Sequence, residues 1–408
     1  MEVSNGEEGM SMVVMGRYGV LYTKPRPKSA ETSPRVIDMR SDTVTRPTEE
    51  MRVAMFEAEV GDDVFGEDPT VAELEKKAAE LLGKEAGLFV ASGTMGNLAA
   101  MMSHCWSRGE EVLAGDQSHV VLFEQGGAAQ IGNFFLRTVR NLPDGTLDLE
   151  ELRSKLQPEG KVAGDPHKTM TRLIVVENTH NMMGGRVIRP EYMDRLAELI
   201  RGLGIRIHVD GARLFNAATA LGLPPAELVK HADSVTICLS KGLSAPAGSV
   251  LVGTAHFISR ARRVRKSLGG GMRQVGVLAA PGIIALEKMS QRLEIDHNMA
   301  KFLGRGLVSM SDLGVDLDLE AVETNIVFFG LQRSDMTAED FVARLEKEGV
   351  ANGDRVIVKM LPARVASGEV KVRAVLNHHV THQGVECALI RIREILANRG
   401  GRKRKQET

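Results

Sequence analysis

Apolar residues follow two alternating rhythms along the body of this chain, and the alternation predicts its architecture. After Asp68-Pro69, the residues Val71, Leu74, Ala78, Leu81 and Leu82 recur on one helical face, and Gly83 follows. Asp is a preferred N-cap, Pro suits the first helical position, and Gly ends helices by adopting positive φ. Short apolar runs stand at Leu88–Val90, Val112–Ala114, Leu173–Val176, Ile205–Val209, Val235–Leu239 and Val250–Val252. Helical stretches separate many of them, for example Glu191–Leu203 after Pro190. Apolar strands interleaved with helices predict an α/β protein, its mostly parallel central sheet flanked by helices. After about residue 290 the character changes. Strand-like Ile326–Phe329, a helix at Ala338–Glu348 and strand-like Val370–Val375 predict a smaller α+β C-terminal domain. The expected division is a tail over 1–35, a large domain over 36–290, a small domain over 291–398 and a basic tail over 399–408.

Composition narrows the possible functions. With 408 residues the chain is long enough for two or three packed units and a cleft between them. A formal net charge of -1 gives no electrostatic reason to expect nucleic acid or a membrane surface as partner. Cys105, Cys238 and Cys387 are odd in number and far apart, with no CxxC pairing. They point to a reducing compartment and away from a disulfide framework or zinc site, and no metal is expected. No apolar run approaches the roughly 20 residues of a membrane span. Glu2, Glu7 and Glu8 precede the first Arg, which favours a cytoplasmic location. Arg17, Lys24, Arg26 and Lys28 keep mitochondrial import open as the alternative. GRKRK (401–405) reads as a solvated terminus.

Ligands of open α/β sheets sit beyond the carboxyl ends of strands, so the residues that follow each apolar run are the ones to inspect. Ser92-Gly93-Thr94 follows Leu88–Val90 and leads into a helix. Asp210 follows Ile205–Val209, and Ser240-Lys241 follows Val235–Leu239. Each has an ordinary explanation: a helix cap, a turn acid and a surface lysine. Together they match pyridoxal phosphate (PLP). Its phosphate takes backbone N–H groups at a helix N-terminus. Its ring nitrogen needs a carboxylate, and its aldehyde needs a lysine amine. His119, beyond Val112–Ala114, is placed to stack on the cofactor or move a proton, although a lone histidine is more often structural.

At this point the residues resemble a family, the low-specificity L-threonine aldolases, PLP enzymes of the aspartate-aminotransferase-like fold (fold type I). The matching stretches are MRSDTVTRP (39–47), GDD (61–63), GEDPTV (66–71), SGTMGN (92–97), HVVLFEQGGAA (119–129), ENTHN (177–181), HVDGARLFNA (208–217), ICLSKGL (237–243) and GGGMRQ (269–274). They span most of residues 36–398 in the family order. The resemblance implies that Lys241 is the Schiff-base lysine, Asp210 the partner of the ring nitrogen and His119 the stacked imidazole. Ser92, Gly93, Thr94 and Ser240 would surround the cofactor. Arg273 would reach the phosphate of a neighbouring subunit, so a dimer is the minimal unit and a dimer of dimers is common. Ser41, Arg213 and Arg373 would clamp the substrate carboxylate, with Phe123 beside the substrate and Arg213 near the cofactor. His167 would be a second histidine near the substrate hydroxyl.

Two departures bear on this reading. Phe65 stands where the family has Tyr, which removes a phenol from the cleft. The segment AVLNHHVTHQG (374–384) differs from the bacterial form, and His378 and His379 read as a domain edge. The implied reaction is retro-aldol cleavage of L-threonine or L-allo-threonine to glycine and acetaldehyde, with His119, His167 or a water between them as base. Serine hydroxymethyl transfer, β-elimination and a catalytically weak PLP-binding protein remain as rivals.

Overall fold

The computed structural model describes residues 33–365 and 367–398, with a short antiparallel strand pair at Val13–Met15 and Leu21–Thr23. The rest of the expected tails, GRKRK included, lies outside the described residues.

All six apolar runs are strands of one seven-stranded sheet. In chain order its strands are β1 (Ala86–Val90), β2 (Glu110–Gly115), β3 (Phe135–Val139), β4 (Met170–Glu177), β5 (Arg206–Gly211), β6 (Ser234–Cys238) and β7 (Ser249–Gly253). Their spatial order is β1-β7-β6-β5-β4-β2-β3, with β7 antiparallel to both its neighbours and the other pairs parallel. The strands from β4 to β7 are almost wholly buried, as expected where helices cover both faces. The edge strand β3 was not expected. Its sequence FLRTV carries an exposed Phe135 and two polar residues, so no apolar run marks it.

Local chemistry sets the helices. Asp68 caps the helix Pro69–Leu81 by accepting from the Val71 amide at 3.0 Å. Gly83 then turns the chain with φ of +62°. The helix Gly93–His104, which follows β1, lies against β6. A Cβ at Gly96 would stand 2.7 Å from the Thr236 side chain, so the missing side chain permits that approach. The helices after Pro190 and Thr337 end at Leu199 and Leu345, each a few residues earlier than the pattern suggested.

The second core differs from the expected boundary at 290. The strand Arg35–Asp38 pairs in parallel with Asp354–Lys359, and Ile37 and Met39 are buried in the C-terminal core. The helix Leu293–Val308 bridges the two cores, with Leu293 in the large one and Ala300, Leu303 and Leu307 in the small one. Residues 35–39 therefore belong to the small unit. The alternating Val36-Ile37 strand finds its parallel partner there, not in the seven-stranded sheet.

Candidate active site

The carboxyl ends of β1, β2, β4, β5 and β6 deliver Ser92, His119, Asn181, Asp210 and Lys241 to one edge of the sheet. The register places Glu177, Asp210 and Thr236 side by side on neighbouring strands, so these three side chains leave the same face. That face lies under the helix Gly93–His104.

Asp210 is buried, and among the described residues it has no cationic ion-pair partner. Its Oδ2 accepts from Asn97 Nδ2 at 2.9 Å, and its Oδ1 accepts from the Ala212 amide at 3.1 Å. The same Asn97 nitrogen donates to Glu124 Oε1 at 2.9 Å. That oxygen also faces His119 Nδ1 at 2.9 Å. Burial works against a charged His119, but Glu124 and Asp210 outweigh it and hold the imidazole above its ordinary value. Burial raises the Glu124 carboxyl in turn. Ligand atoms of His119, Glu124 and Asp210 lie within 4.8 Å of one another, a spacing that could suit a metal ion. Here the Asn97 amide occupies both carboxylates, so the cluster is held by hydrogen bonds. Glu177 anchors two backbones, accepting from the amides of His119 at 2.6 Å and Asn181 at 2.8 Å.

A second group surrounds the arginines. Arg213 is bound side-on by the buried Asp42, with both contacts at 2.8 Å. Burial opposes ionisation of Asp42, but Arg213, helped by Lys241 and Arg373, holds its carboxyl far below the usual range. Arg213 Nη1 and Arg373 Nη2 both donate to Asn181 Oδ1, at 3.3 and 2.9 Å. Arg373 also donates to the Arg40 carbonyl at 2.9 Å, and its buried Nε has no partner among the described residues. Burial, with Arg213 close by, lowers Arg373 to about 10. Of the two guanidinium groups only Arg213 thus binds the carboxylate, and both share one neutral amide. That surplus of positive charge suits an incoming carboxylate. Ser41 caps the adjoining turn, accepting from the Thr43 amide at 3.3 Å.

Lys241 lies within electrostatic reach of both Asp42 and His119. Its carbonyl accepts from Thr45 Oγ1 at 2.9 Å and from the Ser244 amide at 2.9 Å, which fixes the loop beyond β6. His378 bonds the Ser244 hydroxyl at 2.8 Å, and His379 accepts from the Arg46 amide at 3.0 Å. His378 therefore ties the small unit to the lysine loop, and His379 ties it to the segment that carries Thr45.

The expectation for His167 is corrected. It is exposed and precedes β4, at the sheet edge opposite Lys241 and Asp210. The eight residues of β4 separate the two edges. His180, three residues past the end of β4, is the second histidine at the site edge. It is 0 % exposed, and neither ring nitrogen has a partner among the described residues. A buried imidazole without hydrogen bonds is costly, and such groups mark positions completed by a ligand or water.

Arg273, Phe65 and Phe123 lie on the surface of this chain. Arg273 is 56 % exposed at its side chain and pairs with Asp62 at 2.9 Å. Phe65 is 74 % exposed, and Phe123 is 53 % exposed with its ring 5.6 Å from that of His119. Asp63, next to Asp62, is held by the buried Arg265 at 2.6 Å.

These residues suit PLP. The amides of Gly93 and Thr94, at the start of a twelve-residue helix, have no internal partner and face an anion's usual position. The half-buried Ser240 lies one residue before Lys241 at the end of β6. Asp210 offers a buried carboxylate held only by neutral donors, and Lys241 follows the adjoining strand. The sheet order and this constellation define the fold of the PLP-dependent transferases.

The family follows from direct comparison. Residues 38–333 match the model of the beta-eliminating lyases. Low-specificity L-threonine aldolase 1 of Arabidopsis thaliana is 46% identical over 356 residues, which cover 87% of this chain and 95% of the relative. Low specificity L-threonine aldolase of Escherichia coli (strain K12) is 47% identical over 293 residues, covering 72% of this chain and 84% of the relative. The solved threonine aldolase of Leishmania major superposes with a TM-score of 0.70 at 19% identity, over 88% of this chain and 99% of the other, and this likeness concerns the fold. The chain belongs to the beta-eliminating lyase family and, within it, to the low-specificity L-threonine aldolases.

Proposed function

We propose that this chain is a PLP-dependent aldehyde-lyase that cleaves L-threonine, L-allo-threonine and related β-hydroxy amino acids to glycine and an aldehyde. The observation that carries the reading is His180, buried with both ring nitrogens free, next in sequence to the asparagine that joins Arg213 and Arg373. Lys241 would hold the cofactor, Gly93 and Thr94 its phosphate, and Asp210 its ring nitrogen. PLP, when bound, accepts the electron pair left on the α-carbon as the Cα–Cβ bond breaks. Arg213 and Arg373 would grip the α-carboxylate and so fix which α-carbon bond lies across the ring. His180 would take the β-hydroxyl proton, directly or through one water, as the carbonyl of the aldehyde forms. His119, held by Glu124, would cover the ring's open face.

The exposed Arg273, Phe65 and Phe123 support a second copy of the chain completing the site, with the homodimer as minimal unit. A tetramer of two such dimers is part of the same proposal. No described helix is long and apolar enough to cross a membrane. The three cysteines are buried and unpaired, which supports a reducing compartment such as the cytoplasm.

The test is glycine and acetaldehyde release from L-allo-threonine by PLP-loaded protein without folate. Equal amounts of both products over many turnovers are expected. Ammonia with a 2-oxo acid, or dependence on folate, would replace aldol cleavage with another reaction of the same fold.

A further inference from the structure

Asp210 ends a chain of hydrogen bonds that runs the full depth of the sheet. Asn97 Nδ2 donates to Asp210 at 2.9 Å, and Asn97 Oδ1 faces His208 Nε2 at 3.1 Å. His208 Nδ1 meets the Ser234 hydroxyl at 2.8 Å, and that hydroxyl meets His104 Nε2 at 2.7 Å. Asn97, His208, Ser234 and Asp210 are all buried. His104 lines a cavity of about 400 Å³ at the amino edge of the sheet, beside Trp106, Arg206 and Arg260.

The seam follows from two periodicities. Asn97 and His104 are seven apart on one helix, two turns along the same face. His208 and Asp210 are two apart on β5, and so leave the same face of the sheet. Ser234 is the register partner of His208 on β6. Gly96 lets the helix settle onto this row.

The orientation of the Asn97 amide sets the direction along the row, although His208 Nε2 also faces Thr236 Oγ1 at 3.5 Å. Asn97 turns its amide nitrogen to two carboxylates, so its oxygen must accept, and His208 Nε2–H must donate. Burial lowers His208 to about 4 and His104 to about 3, so each ring is neutral near neutral pH, with one N–H and one lone pair. His208 Nδ1 therefore accepts from the Ser234 hydroxyl, whose oxygen accepts in turn from His104 Nε2–H. All four donors point towards Asp210. Bonds aligned head to tail polarise one another and stabilise negative charge at the accepting end.

We infer that His208 is a positioning residue for the reaction, acting through Asn97 to hold Asp210 as the anion that keeps the cofactor's ring nitrogen protonated, with Ser234 and His104 completing the relay. This rests on the reading of Asp210 as the ring-nitrogen partner. The relay explains why a strand interior carries a histidine and a serine where apolar residues would pack.

The test is equilibrium binding of PLP, and of its analogue with carbon in place of the ring nitrogen, to the full-length apoprotein. The wild type is expected to prefer PLP. Asp210→Asn should abolish that preference, and His208→Phe should narrow it roughly tenfold. His208→Gln, which can still donate to Asn97, should recover part of it. An unchanged preference in His208→Phe, with the preference lost in Asp210→Asn, would overturn the relay alone. A preference that survives in Asp210→Asn would overturn the reading of Asp210 and the relay with it. Two-bond nitrogen–proton spectra of the wild-type imidazoles give an answer that no variant has to fold for. Protons on Nε2 of both His208 and His104 are expected, and a proton on Nδ1 of neutral His208 overturns the inference.

Discussion

Asn181 Oδ1 accepts one hydrogen bond from Arg213 at 3.3 Å and another from Arg373 at 2.9 Å, so a neutral oxygen holds two cations together. Like-charged guanidinium groups repel, and the single carboxylate of Asp42 is already bound side-on to Arg213. Under the proposed function, a substrate carboxylate arriving here would meet donors positioned in advance and charge not yet balanced.

Replacing Asn181 by Asp supplies the missing negative charge from within. The substrate carboxylate then competes with a resident one. Asn181→Asp is expected to raise KM for L-allo-threonine tenfold or more, by roughly 1.4 kcal/mol of lost binding, with a smaller change in kcat. Initial rates across a range of substrate concentrations would show it. An unchanged KM would place the carboxylate elsewhere.

The two histidines make opposite predictions. His180→Phe should lower kcat by about 10²–10⁴-fold while the protein keeps its cofactor, because a proton acceptor is lost and little else. His167→Phe, on the exposed loop before β4, should leave kcat and KM unchanged. Steady-state rates alongside the visible absorbance of bound PLP distinguish these outcomes. Full activity in His180→Phe would leave His119 or a water as base.

Helix placement at the phosphate end can be probed by volume. A Cβ at Gly93 would lie 2.7 Å from Cys238 Sγ, on the strand beneath. Gly93→Ala should push the helix start away from β6 and weaken PLP binding roughly tenfold. Adding Cys238→Ala, which removes the sulfur, should restore most of the affinity. Fluorescence titration of the apoprotein measures both, and the absence of rescue would exclude the steric account.

Asp42 makes stability depend on pH in a defined direction. Its folded value lies below the ordinary 3.8, so its contribution is complete above that pH and fades as pH falls below it. Asp42→Asn leaves a buried Arg213 without its anion and should cost about 3–5 kcal/mol near neutral pH. The difference from wild type should begin to shrink at about pH 3, where Asp42 takes up a proton in the unfolded chain while the native pair stays ionised. Urea unfolding of both apoproteins at the two pH values tests this. A gap equally wide in acid would assign the cost to packing.

Much of the large unit was legible because burial on both faces leaves an unbroken apolar run, as in Leu173–Val176 and Val235–Leu239. The strand β3 was not, since an edge strand with Arg137 and Thr138 lacks that mark. Lys241, Asp210 and Ser92 could be found by looking past strand ends. The same rule would have chosen His180, in the quoted ENTHN stretch, over His167, which precedes its strand. Asp42, Asn97, Glu124 and Glu177 were out of reach for another reason. Each takes its role in part from a partner far away in sequence, as Asp42 does with Arg213, Asn97 with Asp210, Glu124 with Asn97 and Glu177 with His119. The strand Arg35–Asp38 was assigned to the wrong unit because nothing local in a four-residue strand tells which sheet it will join.

The strand Arg35–Asp38 also bears on how the two units can move. From the strand Arg35–Asp38 in the small core, the chain passes into the large one through residues 40–48 and returns within the helix Leu293–Val308. The first passage is itself part of the cleft, carrying Ser41, Asp42 and Thr45 to Arg213 and the lysine loop. Any rotation of the small unit therefore pulls on this strap, and through it on the carboxylate clamp. If the arginines grip substrate as proposed, grip and inter-domain angle are one mechanical variable, and a shortened strap would change both together.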